Sequence, residues 1–310
     1  MTVLAPIVLF VYNRPEHARR TVEALKNNTL AQESDLIVYS DAPRVQTHVR
    51  RVSEVRNYVR QIEGFKSVSV IERKTNLGLA RSVIDGVTEI VEKYGRVIVL
   101  EDDMVTSRYF LTYMNDALEY YENEDSVISI HGYCYPIDGL PETFFLKVAD
   151  CWGWGTWKRG WDLFESDGCK LLEQLEQKEL LNRFDLFGAY DYSKMLRDQI
   201  EGKNSSWAIR WYASALLADK LTLYPAQSLV SNIGSDGSGT HFGIGDCMDV
   251  ILCDRPIKIG NAEVSENMFA LKQWQHFLGR AANPGWFGRI KSKIRQKLMQ
   301  LRNLIQKRQS

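Results

Sequence analysis

A β-α alternation repeats four times in the first hundred residues and limits the chain to an α/β fold. The continuous apolar run "APIVLFVYN" (5–13) predicts a strand buried on both faces, and Pro15 predicts the start of the helix that follows. "DLIVYSD" and "SVSVIER" predict two further strands, each followed by a helix, and "RVIVLEDD" predicts the fourth strand. The short loops between these elements favour a Rossmann-like, mainly parallel sheet.

Polar side chains follow the predicted strands at one edge of this sheet, where ligands of such sheets bind. They are Asn13, Arg14, Ser40, Asp41, Asn76 and the acidic triplet Glu101, Asp102 and Asp103. Three adjacent carboxylates repel one another and favour a bound cation, and Mg²⁺ and Mn²⁺ take oxygen ligands. The triplet therefore predicts a metal-bridged nucleotide diphosphate. The alternative is that Asp102 or Asp103 caps the next helix.

The charges of the chain are divided unevenly between its body and its C-terminal end. Residues 267–310 contain ten Lys or Arg and no Asp or Glu, which leaves 29 basic against 39 acidic residues in 1–266. No stretch approaches the roughly 18 apolar residues that a membrane span needs, and the five cysteines form no CxxC pair. We expect a cytoplasmic protein with free thiols and a tail that meets an anionic surface.

Two parts of the chain are expected, an α/β body and a tail. Residues 1–265 are predicted to form one fused catalytic unit, with a nucleotide-sugar half (1–125) and an acceptor half (126–265) that includes a helical stretch over 170–203. Residues 266–310 form a basic amphipathic C-terminal helix that would bind peripherally to the inner face of a membrane. Packing on the body or on a second subunit is the alternative. No nucleic-acid docking motif accompanies the basic residues.

A hydrophobic strand that ends in Glu-Asp-Asp and continues as "MVTSRYFLTYMNDAL" resembles the metal-binding signature of glycosyltransferases with the glycosyltransferase-A fold. The form of the triplet is similar to that of N-acetylglucosaminyltransferase I. The chain also resembles bacterial family-2-type sugar transferases that build surface polysaccharides, including lipopolysaccharide. The resemblance extends over most of residues 3–245 and implies a glycosyltransferase-A fold and a nucleotide-sugar donor.

The resemblance also implies roles for individual residues. Arg14 would lie near the nucleotide base and phosphates, and Asp41 would hold a uracil ring. Asp103 would bind the metal directly, while Glu101 and Asp102 would contact the ribose or the donor sugar.

Further residues are assigned to the donor site. Asn76 and Arg81, at the start of the third helix, are assigned to the donor site. The glycine-rich stretch 234–245 resembles a loop that folds over the nucleotide-sugar, and this places His241 near the metal or the diphosphate. An ordinary mobile loop is the alternative for this stretch.

The catalytic base is the open point of the resemblance. The related enzyme supplies it from a Trp-Asp-Asp-Trp stretch, whereas the matching "WAIRW" (207–211) contains no acid. Asp191, flanked by tyrosines, is the first candidate, and Asp150, beside a tryptophan-rich segment, is the second. Asp191 could instead be a helix N-cap, and Asp150 a plain loop acid.

Aromatic residues indicate the acceptor side. "CWGWGTWKRGW" (151–161) contains four tryptophans, and aromatic faces stack on sugar rings. Trp152, Trp154 and Tyr190 are assigned to the acceptor, with an aromatic core cluster as the alternative. Arg210 is assigned to the donor diphosphate, with a structural salt bridge as the alternative.

Together these features predict a hexosyl- or N-acetylhexosaminyl-transferase that uses Mn²⁺ or Mg²⁺. A UDP-sugar donor is favoured, the acceptor is a glycan or a lipid-linked glycan, and the resemblance implies inversion. The sequence does not decide the oligomeric state. The alternatives are a non-catalytic sugar-binding or scaffold protein on the same fold and a nucleotidyltransferase. The latter would need a glycine- and lysine-containing loop after the first strand, which "VYNRPEH" does not provide.

Overall fold

A central eight-stranded sheet organises the protein, as seen in a computed structural model that describes residues 3–234 and 248–281. The strands are β1 (Ile7–Val11), β2 (Asp35–Ser40), β3 (Ser67–Glu72), β4 (Arg96–Glu101), β5 (Met104–Thr106), β6 (Val127–His131), β7 (Thr143–Leu146), β8 (Trp154–Trp157), β9 (Leu221–Pro225) and β10 (Val230–Asn232). The helices are α1 (Pro15–Lys26), α2 (Val49–Val59), α3 (Leu79–Tyr94), α4 (Phe110–Tyr120), α5 (Lys158–Trp161), α6 (Gly168–Gln177), α7 (Leu181–Phe184), α8 (Tyr192–Ile200), α9 (Ala208–Leu217) and α10 (Met268–Ala281).

The first four strands form the parallel half of the sheet, in the order β3-β2-β1-β4. β1 is buried along its whole length, and this explains why its sequence is continuously apolar rather than alternating. The carboxyl ends of these strands meet at one edge of the sheet. The predicted α/β class and Rossmann-like sheet are confirmed.

An antiparallel strand joins the two halves of the sheet. β8 lies between β4 and β6 and pairs antiparallel with both, and the order continues through β9 to β7. Val99 of β4 pairs with Trp154 of β8. Because these strands run in opposite directions, the residues that precede β8 lie beside the acidic triplet that ends β4.

Helices cover both faces of the sheet, and a third core forms beside it. One face packs against α1, α2 and α4, and the other against α3, α5 and α9. The third core joins α6, α7, α8 and α9 to β7, β9 and α10. The stretch 170–203 therefore forms three helices (α6, α7 and α8) rather than one. The chain reverses between them at Glu179, Leu186 and Phe187, which all have positive φ angles.

The C-terminal end of the described chain is part of the body. Ala270, Leu271, Trp274 and Leu278 of α10 are buried in the third core, so the packed unit extends beyond the expected boundary at residue 265. Residues 282–310, which carry most of the basic tail, lie outside the described residues, and membrane binding through them stays a prediction. Within 3–234 and 248–281, no helix is long and apolar enough to cross a membrane.

Candidate active site

A cavity of about 430 Å³ opens at the carboxyl ends of β1, β2 and β4 and extends toward α8. It brings together most of the residues that the sequence assigns to donor and acceptor. The predicted site residues that line it are Arg14, Asp41, Asn76, Glu101, Asp102, Asp103, Asp150, Trp152 and Tyr190. Residues far apart in sequence thus meet in a single site.

The acidic triplet and Arg14 form one charged cluster in this cavity. Nη2 of Arg14 donates hydrogen bonds to Oδ1 of Asp102 and, at 2.8 Å, to Oδ2 of Asp103. The Thr21 hydroxyl donates to the carbonyl O of Asp102, at 2.8 Å, and this fixes α1 against the turn. Neither Asp102 nor Asp103 caps a helix, because β5 follows them directly. The capping alternative is therefore not what the structure shows.

Burial and mutual repulsion shift the titration of this cluster. Burial, followed by the charges of Asp103 and Asp102, raises the pKa of Glu101 to about 8, while a side-chain hydrogen bond from Trp207 opposes this shift. Burial also raises the pKa of Asp102, against the effect of Arg14. Burial alone would lower the pKa of Arg14, but the two aspartates raise it above its usual value. The cluster therefore favours additional positive charge.

One carboxylate oxygen in the cluster fits a metal ion. Oδ1 of Asp103 is buried and has no hydrogen-bond partner among the described residues. These residues contain no group of three or more His, Cys, Asp or Glu side chains able to hold a metal. Mg²⁺ is usually held by one or two carboxylates together with substrate phosphates. The residues present fit a site of this kind, in which Asp103 would be the protein ligand and substrate phosphates would supply the other oxygen ligands.

The returning strand β10 closes over Asp103. β10 pairs antiparallel with β5, and the Ile233 N–H donates to the carbonyl O of Asp103 at 2.9 Å. A Cβ at Gly234 would overlap with Oδ2 of Asp103, so only glycine allows this close approach. The remainder of the predicted glycine-rich loop, 235–247, lies outside the described residues, and so does His241.

Asp41 connects the end of β2 to the start of α3. Its carboxylate accepts hydrogen bonds from the backbone N–H groups of Ala42, Leu77 and Gly78 and from Nδ2 of Asn76, at 2.8–2.9 Å. Asp41 and Asn76 both line the cavity, as the sequence predicts for donor residues. These hydrogen bonds hold the wall of the cavity beside β2 in shape.

Asp150 lines the same cavity, directly before the tryptophan-rich segment. The Tyr224 hydroxyl lies 3.1 Å from Oδ2 of Asp150 and 3.1 Å from the carbonyl O of Val148. Burial raises the pKa of Asp150 to about 6, and the Tyr224 hydrogen bond opposes this shift. No described Lys or Arg forms an ion pair with Asp150, so its charge faces the cavity uncompensated.

A buried histidine that the sequence did not single out holds the neighbouring backbone. Nε2 of His131 accepts a hydrogen bond from the Trp152 N–H at 3.1 Å, and Nδ1 lies 2.9 Å from the carbonyl O of Tyr133. This pair of contacts assigns the proton to Nδ1. Burial lowers the pKa of His131 to about 3, so the ring is neutral at physiological pH. Its partners are backbone groups, which explains why no side-chain pattern indicated it.

The tryptophans divide between the cavity and the core. The Trp152 ring packs edge-on against Tyr133, with centroids 4.7 Å apart, and both residues line the cavity. Trp154 is fully buried and packs against Trp161, Trp207 and Trp211, with centroids 5.4–5.8 Å apart. Trp154 therefore belongs to the aromatic core, which was the alternative interpretation, and it does not line the cavity.

Three further predicted site residues lie outside the cavity lining. Asp191 caps α8, because its side chain accepts the Lys194 N–H at 3.0 Å. Arg81 is mostly exposed and pairs with Asp85. Nη1 of Arg210 donates to the carbonyl O of Ser166 at 2.8 Å, a local structural contact. These placements leave Asp150 as the predicted base that lines the cavity.

Gly153→Ala is expected to destabilise the fold by about 2–4 kcal/mol. Gly153 has φ +67°, which costs an L residue about 1 kcal/mol. Its Cβ would also come within 2.6 Å of Cγ2 of Val230, and such overpacking costs about 1–3 kcal/mol. Chemical denaturation of both proteins measures the difference in free energy of unfolding.

Gly139→Ala is the matched control for this substitution. Gly139 has φ +82°, but a Cβ there would meet nothing within 4 Å. This variant should show only the backbone cost of about 1 kcal/mol. Equal losses in the two variants would contradict the close packing of Gly153 against β10.

No family model and no curated protein matches the chain. Among solved structures, residues 1–349 of S. aureus TarS cover 74% of this chain with 12% identity and a TM-score of 0.40, and the match spans 61% of that structure. A longer S. aureus TarS structure is covered to 24% of its length, with 17% identity and a TM-score of 0.30. The chain thus spans less than two thirds of either TarS structure.

Another similar structure is the mannosyltransferase PcManGT from Pyrobaculum calidifontis in complex with GDP-Man and Mn²⁺. It has 11% identity and a TM-score of 0.36, and the match covers 70% of this chain and 75% of that one. Because all the TM-scores are below 0.5, what the site does has to follow from its own residues.

Proposed function

We propose that the chain is a glycosyltransferase that moves a sugar from a nucleotide diphosphate sugar to an acceptor hydroxyl. The observation that carries this proposal is the division of one cavity into two chemical ends. Arg14 and the acidic triplet line the cavity as one group, here called the donor end, and Asp150 among aromatic rings forms the second group, here called the acceptor end. Glycosyl transfer needs both ends, because a diphosphate must leave while a hydroxyl is deprotonated.

The donor end would bind the diphosphate through Arg14 and Asp103. Nη2 of Arg14 contacts both aspartates, and its Nε and Nη1, which make no hydrogen bond to a described residue, can donate to phosphate oxygens. Asp103 would hold a Mn²⁺ or Mg²⁺ ion, which supplies charge neutralisation to the diphosphate when bound. Asp41 and Asn76 would keep the nucleotide wall in shape. A UDP-sugar is the favoured donor.

The acceptor end would bind a sugar against Trp152 and Tyr190 and deprotonate it through Asp150. A base works best when its pKa lies near the working pH, and Asp150, with a pKa raised to about 6, meets this condition. Asp150 would thus take the place of the catalytic carboxylate that "WAIRW" does not contain. Direct attack of the deprotonated hydroxyl gives inversion at the transferred carbon. A glycan or a lipid-linked glycan is the proposed acceptor class.

A donor screen tests the proposal. Nucleotide diphosphate sugars with uracil and guanine bases and different hexoses are incubated with the full chain, with and without Mn²⁺, and the release of nucleoside diphosphate is measured. At least one donor should be turned over, and faster with Mn²⁺. Binding of a donor without any turnover, alone or with added sugars, would instead favour the non-catalytic sugar-binding alternative.

A further inference from the structure

Among the described residues, those at the acceptor end of the cavity carry one negative charge and no positive one. Two arginines line the cavity, Arg14 and Arg44, and both belong to the loops that follow β1 and β2 at the donor end. Asp150 is the carboxylate of the acceptor end, and His131 is neutral there because burial lowers its pKa to about 3. The cavity as a whole therefore has a negative excess.

The described groups around Asp150 do not neutralise its negative charge. The groups whose electrostatics couple to it are all thiols or phenols, and burial raises the pKa of each of them. They are Cys134, Tyr135, Cys151, Tyr192, Tyr212 and Tyr224. None of these groups is cationic, and Arg183, whose charge also acts on Tyr212, is already paired with Glu266. Charges interact more strongly in such a site than in water, because the surroundings are poorly polarisable.

Aromatic rings form the rest of the surface at this end. Tyr133 and Trp152 pack edge to face, and the Tyr190 and Tyr192 rings lie with centroids 4.5 Å apart. Tyr190 remains 42% exposed, so part of its surface is open to a ligand. Such rings stack on the apolar faces of sugar rings, whereas they offer no ion pair to a carboxylate or phosphate.

We propose that the sugar unit accepted at this site is uncharged, and that Asp150 excludes acceptor units that carry a carboxylate or a phosphate. This inference rests on the proposed function of the site. The acceptor hydroxyl donates a hydrogen bond to Asp150, and the ring packs on Trp152 and Tyr190. An anionic group brought into the same space would meet Asp150 without a compensating cation.

Matched sugar pairs that differ only in charge test the proposal. Methyl β-glucoside is compared with methyl β-glucuronide, and methyl β-galactoside with methyl β-galacturonide, by saturation-transfer NMR titration of the full chain. At least one neutral sugar should bind about tenfold or more tightly than its acidic counterpart. Equal or tighter binding of the acidic partners, or binding of none of the four sugars, would overturn the proposal.

An Asp150→Asn variant identifies the source of the discrimination. Asn keeps the shape and removes the charge, so the preference for the neutral sugar should shrink several-fold. Asp191→Asn makes the same chemical change at the exposed cap of α8 and should keep the wild-type preference. An unchanged preference in Asp150→Asn would contradict the role of this carboxylate.

The two proposals can fail separately. Donor turnover without any added acceptor reports on the proposed function, whereas the sugar pairs report on the acceptor end alone. Turnover of a donor together with equal binding of glucoside and glucuronide would remove only the inference about charge. Discrimination between the sugars without turnover of any donor would remove only the transferase assignment.

Discussion

Replacing Asp150 with Asn is expected to lower kcat by about 10²–10⁴-fold, with little change in donor KM. The substitution removes the proton acceptor and leaves the donor end intact. Its effect is measured by steady-state kinetics with the donor found in the screen. Asp191→Asn is the matched comparison, because Asn also caps helices well and the stability of α8 should persist. A larger loss of kcat in Asp191→Asn would transfer the role of base to Asp191.

The dependence of kcat/KM on pH in the wild-type protein should reflect the ionisation of Asp150. Asp150 acts as a base only when ionised, so kcat/KM should rise with pH through about 6 and level off above it. The titratable groups that couple to it are phenols and thiols whose pKa values are raised, so they stay neutral across this range. Asp150→Asn should lose the rise near pH 6. A retained rise would assign the titration to another group.

The same substitution should not weaken the fold. The folded-state pKa of about 6 lies above the ordinary aspartate pKa of 3.8, so ionisation of Asp150 costs stability as pH rises from 3.8 to 6. Above that range the cost is constant at up to about 3 kcal/mol. Asp150→Asn is therefore expected to keep or raise the free energy of unfolding at pH 7. A protein that loses activity without losing stability separates a catalytic role from a structural one.

Asp103→Asn is expected to abolish the dependence of nucleotide binding on metal. The substitution replaces the carboxylate whose Oδ1 has no partner among the described residues with a weaker, neutral ligand. Calorimetric titration with UDP and with GDP, with and without Mn²⁺, measures the effect. The wild type should bind one of them at least about tenfold more tightly when Mn²⁺ is present, and the variant should show no such gain.

Asp162→Asn is the control for this experiment. Asp162 is an exposed acid on the surface, paired with Lys158, and the change in charge is the same. It should leave the Mn²⁺ dependence of binding unchanged. If Asp103→Asn also keeps the full gain from Mn²⁺, then Asp103 is not a metal ligand.

Local sequence patterns were sufficient to predict the parallel half of the fold. Short apolar runs, an alternating run for β3, and their flanking turn residues predict β1 to β4 to within about two residues at each end. The site at the strand ends follows from the same reasoning, because parallel strands bring their carboxyl ends to one edge. Arg14, Asp41 and the acidic triplet meet there as the resemblance predicts.

Other features depend on contacts that a sequence pattern does not carry. Nothing local indicates that Glu179, Leu186 and Phe187 adopt positive φ angles and divide the stretch 170–203 into three helices. Trp152 and Trp154 differ by two positions in a strongly aromatic segment, yet one lines the cavity and the other is buried. The pairing of β8 with its neighbouring strands decides which of the two tryptophans is buried, and this pairing is a tertiary contact.

The position of β8 also bears on how the chain can be divided. β4 forms its second set of interstrand hydrogen bonds with residues 154–157, which follow it by more than fifty positions. A fragment that stops at residue 125 would leave an exposed edge strand and would be prone to aggregate. Asp150 and Trp152 immediately precede this same strand. Pairing β8 with β4 therefore completes the sheet and also brings Asp150, the proposed base, next to the acidic triplet. A recombinant exchange between relatives would have to transfer both halves of the sheet together.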